Sequence, residues 1–77
     1  MLITLSEAYV GNHFQIKHIE ATGQHEQRLY RLGIEVNTTL VLIRKINAGQ
    51  MIAVQIGEKT VALQKEETDQ IYGEVLG

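Results

Sequence analysis

There is no cysteine among the 77 residues of this chain, which excludes disulfides and thiolate-held metal sites from the start. Aromatic residues are few. Phe14, Tyr9, Tyr30 and Tyr72 are the whole set, and they are not interleaved with basic residues as a base-stacking nucleic-acid surface requires. Charge of neither sign dominates: the formal net charge is −2, which gives no general attraction to a phosphate backbone and leaves room only for a local basic patch. Nucleic acid is therefore not an expected partner. No apolar run approaches the roughly 20 residues of a membrane span, and no basic-then-apolar leader follows Met1. These features predict a cytoplasmic protein without direct membrane insertion, brought to a membrane only through a partner. No Gly-rich phosphate loop and no paired Ser and His in a recognisable setting are present. No catalytic residue and no cofactor is expected, and the chain is read as a non-enzyme.

The chain is organised around Glu26-Gln27-Arg28-Leu29-Tyr30-Arg31-Leu32-Gly33-Ile34. Leu29 and Leu32 stand three apart and share one helical face, while Arg28 and Arg31 share another. Gly33 is placed to end the helix at C′, where a left-handed backbone costs glycine little. The helix reads as a lid or plug docked by Leu29 and Leu32 on segments that otherwise look like sheet. Before it, Thr4 and Glu7 have capping-box spacing and predict one helical turn. The segment from His13 follows, with Phe14 and Ile16 in strand alternation. Ile19 falls on the opposite parity, so all three share a face only if a bulge is inserted near Lys17-His18.

After the helix, Thr39 to Ile46 is apolar on both parities, with Leu40 and Leu42 facing one way and Val41 and Ile43 the other. Asn47-Ala48-Gly49-Gln50 joins it as an antiparallel hairpin to Met51 to Ile56, with Ile52, Val54 and Ile56 inward. Gly57-Glu58 supplies a two-residue turn into Lys59 to Leu63, with Val61 and Leu63 inward. Gln64 to Gln70 reads as one polar helical turn, and Ile71 to Val75 as a last strand with Ile71 and Val75 inward and Gly73 permitting a bend. The fold class is mainly β: one domain over residues 1–77, a small antiparallel barrel of about five strands with one or two short helices. These residues alone leave an SH3-like barrel and an oligonucleotide-binding barrel both open.

Three histidines, His13, His18 and His25, suggest a first-row metal site, but their spacing gives them no common face, and no metal ligand set is assigned. Glu66, Glu67 and Asp69 read as a solvated turn, with too little apolar neighbourhood to shift a carboxyl for acid–base work. The remaining constellation is Arg28, Arg31, Arg44 and Lys45. A domain this small buries only about 60% of its unfolded surface, so Val41 and Ile43 should remain partly exposed. They form the expected centre of a partner-binding surface with Arg28, Arg31 and Arg44 as its rim.

Arg28-Leu29-x-x-Leu32-Gly33-Ile34, followed by a turn, Leu40 and a strand hairpin, resembles the FeoA family, small SH3-like proteins of bacterial ferrous iron uptake. The likeness runs from Leu5-Ser6-Glu7 through Val61-Ala62-Leu63 to Ile71. Four places differ from the family's pattern: Val36-Asn37 stands where Pro-Gly is frequent, Asn47-Ala48-Gly49-Gln50 where prolines are frequent, Thr68 where Ala is usual, and Gly73 where Val is usual. Asn37 can adopt the left-handed conformation that the glycine would supply. The resemblance favours the SH3-like barrel. It also implies a non-enzymatic accessory role in ferrous iron uptake through the GTPase part of the membrane permease FeoB. The exposed face of the Thr39 to Ile46 strand leaves a homo-oligomer open as well, and histidines without a common face or thiolate partners predict no more than weak, adventitious transition-metal binding. A regulatory SH3-like domain like that of iron-dependent repressors, or a nucleic-acid-binding barrel, are the competing readings.

Overall fold

The computed structural model describes all 77 residues. Six strands form one antiparallel sheet: β1 (Ile3–Thr4), β2 (His13–Ile19), β3 (Thr39–Ile46), β4 (Met51–Ile56), β5 (Lys59–Gln64) and β6 (Ile71–Leu76). Their spatial order is β1-β6-β2-β3-β4-β5. The five predicted strands are present. The sixth, β1, adds two residues paired with Gly73 and Tyr72 of β6. A 3-10 turn over Leu5–Glu7 follows it, held as the Thr4/Glu7 spacing predicts: the Glu7 carboxylate accepts the Thr4 N–H at 2.8 Å and its hydroxyl at 3.0 Å.

The inward rows follow the alternation of the sequence. Phe14 and Ile16 of β2, Leu40 and Leu42 of β3, Ile52 and Val54 of β4, Leu63 of β5 and Ile71 of β6 are buried together. The register of β2 against β6 shifts between Ile16 and His18, so Lys17 is the inserted residue, and Ile19 returns to the core side as expected. Val75 is opposite Phe14 but lies near the end of β6 and remains exposed. A second shift, between Leu42 and Arg44 on β3, makes Ile43 a bulge residue. This one is not visible in the sequence, because β3 is apolar on both parities and a slip leaves no mark. Its effect is to bring Lys45 opposite Ile52, from where its Nζ donates to the Ser6 carbonyl at 3.0 Å.

Helix α1 (Gly23–Arg31) ends as predicted. Gly33 has φ of 88°, its N–H donates to the Tyr30 carbonyl, and the Ile34 N–H donates to the Leu29 carbonyl. This is the Schellman arrangement, completed by the buried contact partners Leu29 and Ile34. The expectation for the other anchor needs correction. Leu29 is fully buried, whereas Leu32, at the C-cap, only packs against the margin of the core. Leu29→Ala should therefore cost about 3 kcal/mol and Leu32→Ala about 1 kcal/mol, the difference between a filled interior site and a half-covered one. Urea denaturation of both variants checks the order; equal losses would mean that the helix is held by its edge.

Candidate interaction surface and the polar clamp under the helix

Helix α2 (Lys65–Thr68) follows β5 as the single helical turn expected there. It is not the simple solvated turn its composition suggests. Glu67 is 1% exposed and Thr68 is fully buried. The Glu67 carboxylate accepts the Gln64 N–H at 3.0 Å and a bond from Arg28 Nη1, and His25 Nδ1 lies 3.3 Å from its second oxygen. Burial pushes the Glu67 carboxyl up, but the bonds from the Gln64 N–H, Arg28 and His25 together outweigh it and hold the group below its ordinary range. Beside it, Ser6 Oγ donates to Asp69 at 2.5 Å and lies 2.6 Å from the Thr68 hydroxyl, and Lys65 binds the other Asp69 oxygen at 2.8 Å. The hydrogen bonds from Lys65 and Ser6 keep Asp69 low as well. The signal available in the sequence was the position of Glu67 as the third helical residue after Gln64, a capping position. Its distant partners carried no local mark.

Arg28 has a second role. Its Nη2 donates to the Ala62 carbonyl at 3.0 Å. Since β5 is an edge strand, this bond and the Gln64–Glu67 bond occupy backbone groups that would otherwise be open to another strand.

Among the predicted surface residues, Val41, Ile43 and Arg44 come together on β3. Val41 is half-buried, Ile43 is 38% exposed and Arg44 is exposed. Arg28 and Arg31 are on α1, and Arg28 is engaged with Glu67 and the Ala62 carbonyl. Arg31 is exposed and lines a surface depression with Gln24, Gln27, Arg28 and Leu32. Ala62, Ala53 and Arg44 are matched in register across β5, β4 and β3. The row from Arg44 to Ala62 spans two strand spacings, or about 10 Å, and Arg28 lies beyond its far end, bonded to the Ala62 carbonyl.

Sequence reasoning missed the neighbours of Ile43. The Gly11 N–H donates to the Leu42 carbonyl at 2.7 Å, and the Leu42 N–H donates to the Asn12 carbonyl at 3.0 Å. These bonds lay the Tyr9–Asn12 turn beside the β3 bulge, and exposed Val10 with it. His13 is paired with Val41 on one side and with Leu76, 44% exposed, on the other. Val10, Val41, Ile43 and Leu76 thereby lie on one region of the sheet. No three His, Asp or Glu side chains stand together as a metal-ligand group. No helix is long and apolar enough to cross a membrane.

The description "FeoA domain" belongs to the family model matched by residues 3–75. Among solved structures, the chain is similar to an iron uptake regulatory protein (FeoA), with a TM-score of 0.85 at 20% identity over 99% of both chains. It is similar to iron(II) transport protein A from Clostridium thermocellum, with a TM-score of 0.89 at 27% identity, covering 96% of this chain and 46% of that one. A manganese-dependent transcriptional repressor gives a TM-score of 0.88 at 22% identity, over 97% of this chain and 42% of its own length. The architecture is thus the SH3-like barrel. No curated protein matches by sequence. With all but a few residues at its two ends inside the matched region, the chain belongs to the FeoA domain family.

Proposed function

We propose that this domain is a non-enzymatic accessory of ferrous iron uptake that works by binding the cytoplasmic GTPase domain of the permease FeoB. Its contact centre is Ile43 and Val41 on β3, and Arg44 and Arg31 are charged contributors at the margin. The observation that carries this reading is the β3 bulge: it leaves Ile43 exposed beside Val10, with Val41 and Leu76 on the same region. An apolar centre with an arginine margin has the composition of a protein interface. The carboxylates with displaced titration, Glu7, Glu67 and Asp69, are all held low by hydrogen bonds. That suits fixed ion pairs and caps better than proton transfer near neutrality. Iron uptake itself is supported by family membership and by the names of the similar structures. The likeness to a manganese-dependent repressor favours, as a second reading, a regulatory domain of the same shape acting beside a separate DNA-binding protein.

Ile43→Asp should weaken binding to the GTPase domain by about a hundredfold while leaving the domain folded, since it places a charge at a desolvated centre. Arg31→Ala should weaken it only severalfold, with the parent protein the more salt-sensitive of the two. Calorimetric titration of the isolated GTPase domain measures both, with circular dichroism and sedimentation as controls. Unchanged affinity of folded Ile43→Asp would move the contact off β3.

A further inference from the structure

On α1, Glu26, Leu29 and Tyr30 fall on one face, opposite Arg28 and Arg31. Along that face a groove of about 310 Å³ opens between the helix and the end of β2. Ile19, Leu29 and Ile34 form its floor, and Tyr30 and Val36 stand at its margins. Tyr30 is 68% exposed and Val36 is 50% exposed, so the barrel gains little from either side chain. Their exposure next to an apolar floor is the unusual feature.

The walls are fixed. The Schellman bonds of Gly33 and Ile34 hold the end of the helix, and the Asn37 N–H donates to the Ile16 carbonyl at 2.7 Å. The Ile16 N–H donates to the Thr38 carbonyl at 2.9 Å, and the Thr38 N–H donates to the Glu35 carbonyl at 3.1 Å. Asn37 makes this turn with φ of 77°. These backbone groups are already paired, so the groove is suited to side-chain insertion and not to the addition of a strand. Glu26 and Glu35 line it, and Glu20 lies 3.8 Å from the lining residue His18. No lysine or arginine lines it.

We propose that this groove docks a short segment of another protein, one that inserts a large apolar side chain between Tyr30 and Val36 and directs flanking lysines or arginines toward Glu26 and Glu35. The volume lies at the small end of ligand pockets and suits one or two large side chains. Complementary charge at the margin would set the choice of segment, as the apolar floor alone does not discriminate. The site is separate from the β3 surface and opposite to it in charge, so it does not depend on that surface being used.

The test is a titration of the isotope-labelled full chain, followed by amide resonances, with three six-residue peptides. One carries a Leu-Phe pair between two lysines on each side, the second has glutamates for the lysines, and the third has serines for the Leu-Phe pair. The basic apolar peptide should shift the amides of Ile19, Leu29, Ile34 and Val36, and should bind about tenfold more tightly than either control. Tyr30→Ser and Val36→Ser change exposed side chains and should keep the fold while weakening that peptide about fivefold. Glu26→Lys combined with Glu35→Lys should remove the preference for the basic over the acidic peptide, and Ile43→Asp should change nothing. Shifts confined to other residues, equal binding of the acidic peptide, or undiminished binding to the serine variants would each overturn the proposal.

Discussion

Gly73→Ala should abolish the native fold, or remove about 4 kcal/mol or more of its stability. Gly73 is buried in β6 between Ile3 of β1 and Ile16 of β2. A Cβ built there would lie 2.1 Å from the Gln15 carbonyl oxygen and 2.6 Å from Phe14 Cε1. The obstacle is space, not backbone conformation, and its nearer half is main chain. A side chain could turn away, but the Gln15 carbonyl can retreat only if β2 moves, and β2 pairs with β3 on its other side. A domain of this size has a total stability of roughly 4 to 11 kcal/mol, so the loss removes about a third of it or more, and all of it at the lower end. Thermal and urea unfolding give the loss. The double variant Gly73→Ala with Phe14→Leu separates the two contacts. Removing the Phe14 ring relieves one collision and leaves the carbonyl, so it should not restore stability. Restoration would show that the ring alone excluded the methyl.

The second large effect belongs to Arg28. Arg28→Ala should cost about 3 to 5 kcal/mol, because it removes the only full cation facing a carboxylate that is 1% exposed. It also uncovers the Ala62 carbonyl on the edge of the sheet. Arg28→Lys keeps the charge but cannot span both acceptors as the guanidinium does, and should fall between parent and alanine variant. The pH dependence identifies the cause. Glu67 titrates below its ordinary 4.5 in the folded chain, so the unfolded chain takes up a proton first on acidification. The stability this group supplies is complete above that value and is lost progressively as the pH falls below it. Without Arg28 the burial of Glu67 is less compensated, and protonating it relieves a penalty. The deficit of Arg28→Ala should therefore be largest at neutral pH and should narrow in acid. Unfolding free energies of parent and variant between pH 7 and pH 3 test this, and a constant difference would assign the loss to packing instead.

How much of this was legible in the sequence depended on whether a feature left a local mark. The Lys17 bulge did, because Phe14, Ile16 and Ile19 cannot share a face without an extra residue, and β2 carries polar side chains on its other parity. The helix end at Gly33 did, because the C′ position asks for that residue. The bulge at Ile43 obeys the same physics but lies in a strand apolar on both sides, where a change of parity alters nothing in the pattern. Strand β1 is made of two β-branched residues, Ile3 and Thr4, but two residues are too few to show an alternation, and it is the pairing with β6 that makes them a strand. Glu67 was the largest error of reading. Burial of a carboxylate depends on the partners that accompany it, and the decisive one, Arg28, lies 39 positions away. The same arginine, expected at the margin of a partner surface, is drawn toward the barrel by that carboxylate. Val41 and Ile43 were correctly placed on the outward side of β3, whereas the residues that extend them, Val10 and Leu76, come from a turn and from the last strand.

The place of β6 in the sheet has a bearing on how the chain acquires its fold during synthesis. It lies between β1 and β2, the two earliest strands, and its pairing partners on β2 are the residues around Phe14 and Ile16. When β2 leaves the ribosome, the strand that should cover one of its edges has not been translated. The hairpins of β3, β4 and β5 can form in order as they appear, since each pairs with its neighbour in sequence. Phe14, however, has no partner on its β6 side until Val75 emerges. Until β6 is in place the sheet is incomplete, and the β6-facing edge of β2 is open to pairing with other chains. Because β6 pairs with both β1 and β2, its arrival joins the two ends of the chain in a single step.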